Sequence, residues 1–320
     1  VRVLTASVVE TIWRWPFRSV LVELRTVPVE PTVFATTNLH ARFKGRTDMP
    51  RSYSLAYLTS NTLTPPQAIR LAADLGYANV GLRLLPNAAG APQQFLIGFP
   101  DVLRETVAAQ RDTGVGVLDL EIIRIGLGFN ARAYLPLLEA GAALKARAVL
   151  VAGDESDFAR LVDGYAQLCD VMLPLGLTAD LEFMPWTKVP DAKSAMRIVQ
   201  AAGNPSNAGI LVDALHFGRS NTTLDDIRAI PRALLHYAQI CDATAGTHFD
   251  VEAMIHTARC ERLLPGEGSI DVKGLFEALP ADLPVSVEIV HMERMAEMGQ
   301  YEWARVCLER SRECLEKPQI

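Results

Sequence analysis

The chain has 320 residues, 49% of them hydrophobic and 21% charged, which is enough apolar material for a large core and argues against disorder. A net charge of −6 offers no broad positive field to a phosphate backbone, so nucleic acid is not an expected partner. No apolar run reaches the roughly 18–20 residues that span a bilayer, and the 5 cysteines (Cys169, Cys241, Cys260, Cys307, Cys314) show no C-x-x-C pairing, which fits a reducing cytoplasm.

Residues 1–48 carry Trp13, Trp15 and scattered charges without a sustained helical or strand period, and they are expected to lie outside the fold. Met49 stands immediately before the first clean strand while the chain opens on Val1, as an upstream alternative start codon would give. A start-site artefact, a poorly ordered extension and a transit-like segment are the three readings of this stretch.

From Tyr53 the chain alternates short β-rich runs with amphipathic helical runs. Strands are predicted at Ser54–Ser60, Asn79–Leu85, Gly116–Ile123, Ala148–Ala152, Leu177–Met184, Gly209–Ala214, Leu234–Asp242 and Val285–Val290. The helices that follow them are predicted at Pro65–Leu75, Pro100–Thr113, Ala131–Lys145, Asp157–Leu175, Asp191–Ala202, Leu224–Ile230, Asp271–Leu279 and Tyr301–Leu315. Thr64 before Pro65-Pro66 is an N-cap signal, and Gly76, Gly114, Gly176 and Gly203 stand where helices should end. Eight such units without a second core predict one (β/α)8 barrel, a TIM barrel, over residues 49–320. The competing open sheet lacks the G-x-G-x-x-G that should follow its first strand.

Barrel enzymes work at the C-terminal ends of their strands. There the fifth strand carries Glu182, the sixth Asp213, the seventh Gln239 and the eighth Glu288, each between apolar neighbours that face the other way. Three carboxylates converging on one volume need a counter-charge, and no lysine or arginine sits on those strand ends. A divalent cation meets the need. Carboxylate and amide oxygens favour Mn²⁺ first, with Mg²⁺, Co²⁺ or Zn²⁺ as alternatives, over a structural zinc site of thiolate and imidazole.

The segments Leu181-Glu182-Phe183, Val212-Asp213-Ala214-Leu215-His216, Gln239-Ile240-Cys241-Asp242, Pro265-Gly266-Glu267-Gly268 and Val287-Glu288-Ile289 together resemble the xylose-isomerase-like barrel superfamily. That group contains sugar phosphate isomerases and epimerases, hydroxypyruvate isomerase, ketose 3-epimerases, inosose dehydratase, 3-dehydroshikimate dehydratase and endonuclease IV. The resemblance runs from Tyr53 to about Leu315 and implies that Glu182, Asp213, Gln239 and Glu288 are metal ligands. Many members carry histidine at the position of Gln239, while hydroxypyruvate isomerase and some dehydratases carry glutamine. Endonuclease IV needs a histidine-rich zinc site, whereas only His216 of the six histidines is placed at a strand end.

His216, three residues after Asp213, is expected to touch substrate or metal-bound water, with loop packing as its bland alternative. Asp242 is expected to bind substrate hydroxyls or else to cap the loop after the seventh strand. Arg262 is expected to grip a substrate carboxylate or phosphate as a bidentate fork. Trp186, with Met184, is expected to wall the substrate's carbon skeleton or else to pack in the core. Arg83 and Glu121 line the pocket or form a helix-facing ion pair.

The expected chemistry is enolisation of a small hydroxy-ketone, with Glu182 and Glu288 as the catalytic acid–base groups of an isomerase or epimerase acting on a sugar or sugar phosphate, a keto acid or a cyclitol. A metal-dependent dehydratase of the 3-dehydroshikimate or inosose type is the alternative, and a non-catalytic ligand-binding barrel the third. A homodimer is compatible with such a barrel, and no membrane partner is expected.

Overall fold

Eight parallel strands, Tyr53–Leu55 (β1), Asn79–Arg83 (β2), Gly116–Ile125 (β3), Ala148–Gly153 (β4), Thr178–Glu182 (β5), Ala208–Asp213 (β6), Ala238–Ile240 (β7) and Val285–Val287 (β8), pair in sequence order. β1 also pairs with β8, which closes the barrel. The computed structural model describes residues 51–84, 100–246 and 249–316. All of them belong to one compact unit, Asp48–Ile320. The expectation for residues 1–48 lies outside the described residues.

The architecture follows from alternation. One set of strand residues, among them Leu82, Leu120, Val151, Leu181, Ile210, Ile240 and Val287, joins the apolar faces of the helices in a single buried cluster. Burial of each large aliphatic side chain contributes about 1.5–3 kcal/mol. A smaller cluster of Leu118, Leu150, Met184, Leu211 and Tyr237 is separate from it. The helix Pro65–Leu75 starts at a capping box of Thr64 and Gln67 and ends on Gly76, whose φ of 82° is the left-handed conformation that glycine adopts without strain.

Each predicted strand is present, several with different ends. The first stops at Leu55 because the chain turns into a 3-10 segment, Leu58–Ser60. There the Thr59 hydroxyl donates to the Val287 carbonyl at 2.7 Å and accepts from the Ile289 amide at 2.7 Å, so a side chain replaces the ladder. The seventh is only Ala238–Ile240, since Leu234 belongs to the turn Arg232–Leu234. Three further helices, Ala214–Arg219, Val251–Cys260 and Met292–Met298, occupy the segments after β6, β7 and β8, the face on which a barrel builds its site.

Deep inside, the barrel is polar as well. Asp119 is fully buried beside Gly81, where an added Cβ would lie 2.9 Å from its Oδ1. Neither Asp119 oxygen has a hydrogen-bond partner among the described residues. Burial, reinforced by Glu121, Glu288 and Asp180, pushes this carboxyl well above the usual range. Asp180, one inward step below Glu182 on β5, accepts from Thr178 Oγ1 at 2.5 Å and pairs with His236 Nδ1 at 2.8 Å. Among the described residues no helix is long and apolar enough to cross a membrane.

Candidate active site

Glu182 is the last residue of β5 and Asp213 the last of β6. Asp213 is also the N-cap of Ala214–Arg219: its Oδ1 accepts from the His216 amide at 3.1 Å, which folds the chain back by one turn. That turn places His216 Nε2 3.5 Å from Glu182 Oε1. Glu182, Asp213 and His216 each offer a ligand atom, and these atoms lie within 4.8 Å of one another. Gln239, on β7, pairs in register with Asp213 on one side and Ser286 on the other. It is fully buried, and neither end of its amide has a partner among the described residues. Glu288 follows β8 directly and is buried.

The counter-charge missing from the strand ends comes from a loop. Leu263 bridges Asp242 beyond β7 and Glu261 bridges His291 beyond β8. Arg262 lies between them, with its amide donating to the Val290 carbonyl at 2.8 Å. Its guanidinium donates from Nη1 to Asp213 Oδ2 at 2.6 Å and sits with Nη2 2.7 Å from Glu288 Oε2, and only 2% of the side chain is exposed. The expectation that Arg262 grips a substrate carboxylate or phosphate is therefore corrected: Asp213, Glu288 and the Ala258 carbonyl already occupy its fork. Glu288 reaches the cluster of Glu182, Asp213 and His216 through this guanidinium.

The electrostatics follow these contacts. Burial raises the Glu182 carboxyl well above its usual range, with Asp213 and Glu288 adding to the effect. Burial pushes Glu288 up to about 8 against the opposing charge of Arg262. Burial acts in the same sense on Asp213, but Arg262, His216 and their hydrogen bonds outweigh it and hold that carboxyl below the usual range. Burial lowers His216 to about 4, so the imidazole is neutral at neutral pH and free to act as a ligand or acceptor. Crowded acids, a neutral imidazole and an unsatisfied amide form a donor set that fits a divalent cation.

Above this floor lies a cavity of about 70 Å³ that opens to solvent at the mouth. Trp186 and Met184 form part of its wall, and the Trp186 ring meets His216 edge-on at 4.9 Å. Arg83 and Glu121 both line it and pair with each other at 2.7 Å, with Arg83 over the Tyr57 ring at 4.4 Å. The pair is thus a feature of the pocket and not a helix-facing bridge.

Asp242 takes the bland course of its two. Its Oδ1 accepts from the amides of Ala243 (2.8 Å) and Ile270 (3.1 Å), and its Oδ2 from those of Gly266 (3.0 Å) and Gly268 (2.9 Å). Four donors fill a carboxylate, so Asp242 is corrected from substrate contact to clamp of the Pro265–Gly268 turn. Arg124 and Arg259 also line the mouth, and the sequence reading missed both. Arg259 lies on Val251–Cys260, for which Asp250 as N-cap and the apolar spacing of Met254, Ile255 and Ala258 were legible signals.

A family model described as the xylose isomerase-like TIM barrel matches residues 69–310. No curated protein matches the sequence. Among solved structures, the IolI protein with a bound zinc atom superposes with a TM-score of 0.70 at 17% identity, covering 82% of this chain and 98% of its own. The D-allulose 3-epimerase from Methylomonas sp. in complex with D-allulose gives 0.60 at 14% identity over 82% and 98%. The probable 3-DHS dehydratase AsbF from Bacillus anthracis gives 0.64 at 12% identity over 83% and 100%. At such identities the superpositions show a shared fold.

Proposed function

Because the chain belongs to the xylose isomerase-like TIM barrel family, we propose that it is an enzyme holding one divalent cation, Mn²⁺ by first choice, on Glu182, Asp213, Gln239 and Glu288. The reaction is isomerisation or epimerisation of a small hydroxy-ketone such as a sugar or sugar phosphate. The observation that carries the reading is the meeting of Glu182, Asp213 and His216 ligand atoms within 4.8 Å at one rim. The unpartnered Gln239 amide beside them supports it.

Bound there, the cation supplies Lewis acidity toward a ketone oxygen and its neighbouring hydroxyl. The chain's own groups do the rest. One of Glu182 and Glu288 removes the carbon-bound proton, and the other, or the same one, returns it to the neighbouring carbon or the opposite face. His216, neutral and braced by Trp186, presents an imidazole nitrogen to substrate or bound water.

A lyase reading shares the proton abstraction and ends with loss of a β-hydroxyl. Gln239, in a position where some dehydratases of the family carry glutamine, keeps it as the second reading. Incubation of Mn²⁺-loaded protein with a panel of ketoses and with 3-dehydroshikimate, followed by mass spectrometry, separates the two. An unchanged mass with a new retention time means isomerisation, and loss of one water means dehydration. Protein that converts none of them and whose melting temperature ignores both Mn²⁺ and chelator is not this enzyme.

A further inference from the structure

Four arginines line the cavity among the described residues: Arg83, Arg124, Arg259 and Arg262. Three are matched by acids. Arg262 is held by Asp213 and Glu288, Arg83 by Glu121 at 2.7 Å, and Arg124 by Asp154 through two hydrogen bonds of 2.6 and 2.9 Å. Arg259 is exposed and has no ion pair and no side-chain hydrogen bond among the described residues.

Its place is nevertheless fixed. Arg259 stands in the last turn of Val251–Cys260, and the carbonyl of its neighbour Ala258 accepts from Arg262 Nε at 3.0 Å. The backbone that carries Arg259 is thereby tied to the guanidinium that joins Asp213 and Glu288. On the proposed metal reading, a divalent cation and Arg262 balance Glu182, Asp213 and Glu288. Arg83 and Arg124 are balanced by their own partners, so one positive charge is left over, and it lies at the mouth on Arg259. A planar fork with five donors is the side chain best matched to carboxylate or phosphate oxygens. Trp186, Met184, Ile122 and Leu150 leave an apolar stretch of wall for the carbon skeleton.

We infer that the substrate carries an anionic oxygen group, a carboxylate or a phosphate, and that Arg259 binds it at the mouth of the cavity. The inference rests on the metal-dependent hydroxy-ketone reading above and names its substrate class.

Two pairs of probes test it by calorimetric titration: dihydroxyacetone against dihydroxyacetone phosphate, and L-sorbose against 5-keto-D-gluconate. Within each pair the hydroxy-ketone is kept and the far end is neutral or anionic. In at least one pair the anionic member is expected to bind about tenfold more tightly, a typical yield for one charge-assisted fork. Which pair shows the preference tells phosphate from carboxylate. Arg259→Gln should shrink that ratio to about twofold or less and Arg259→Lys should recover part of it, with Mn²⁺ affinity unchanged in both. Equal binding within both pairs, or a preference that survives Arg259→Gln, overturns the inference. The titrations are run with Mn²⁺ and after chelation. Failure to bind Mn²⁺ sinks the metal reading, while the ratio in chelated protein still decides the role of Arg259.

Discussion

Arg262 Nη1 stands 2.6 Å from Asp213 Oδ2, so the carboxylate expected to hold a cation already has a buried positive partner. The same guanidinium holds Glu288, so Arg262 brings one buried positive charge to two carboxyls of the acidic floor. Removing one member of a buried charge cluster costs about 3–5 kcal/mol. Arg262→Met should therefore lower the melting temperature strongly in chelator, and added Mn²⁺ should restore more in the variant than it adds to wild type. Equal Mn²⁺ gains in the two proteins would show that guanidinium and cation do not serve the same carboxylates.

Glu182→Gln and Glu288→Gln keep side-chain size while removing the proton-accepting oxygen. Each should reduce kcat by about 10²–10⁴-fold, the usual contribution of general acid–base groups, on whichever ketose the wild type converts. Manganese should remain partly bound, read by calorimetry on the same samples. A variant with a near-normal rate rules its residue out as the acid–base group.

The acidic rim was legible because strand alternation points every second residue inward, so Glu182, Asp213, Gln239 and Glu288 could be placed from spacing alone. The charge balance was not. Arg262 comes 49 residues after Asp213 in the chain, and its insertion depends on two antiparallel bridges between loops, which leave no local periodic trace. Strand ends were misread at Thr59 and Leu234, where apolar runs continue through turns that side-chain or 3-10 hydrogen bonds have already begun. The short helices after β6 and β8 run for 6 and 7 residues, too brief for a helical period to stand out from loop composition, whereas the 10-residue helix after β7 carried a cap and an apolar spacing that went unread.

At the deeper end of the barrel, burial lowers the His236 imidazole, but the hydrogen bond and charge of Asp180 outweigh it and raise the pKa above its ordinary 6.5. The folded-state value lies above the unfolded one, so the pair's stabilisation is complete below pH 6.5 and fades as the pH rises through the folded value. His236→Gln should cost about 1.5 kcal/mol at about pH 6, the worth of a hydrogen bond to a charged group. The gap between variant and wild type should narrow as the pH rises through the folded value. A gap of constant size across that range would mean that His236 acts through packing and not through charge.

Gly268 approaches its neighbours too closely for any side chain. An added Cβ would lie 2.1 Å from the Ala243 carbonyl oxygen and 2.3 Å from Asp242 Oδ1, and the backbone atom cannot step aside cheaply. Gly268→Ala should destabilise the protein by about 1–3 kcal/mol or more and loosen the turn that Asp242 clamps, seen as faster amide exchange at Gly266 and Ile270. Unchanged melting and exchange would mean that the clamp tolerates the extra atom.

Gly81 and Asp119 share one parcel of space inside the barrel, one by having no side chain and the other by leaning into the gap. Position 81 cannot gain a side chain while Asp119 keeps its place. A protein library randomised at both should return larger residues at 81 only in company with smaller ones at 119, and a barrel of this type that has lost the buried acid has room there for a methyl group in its place.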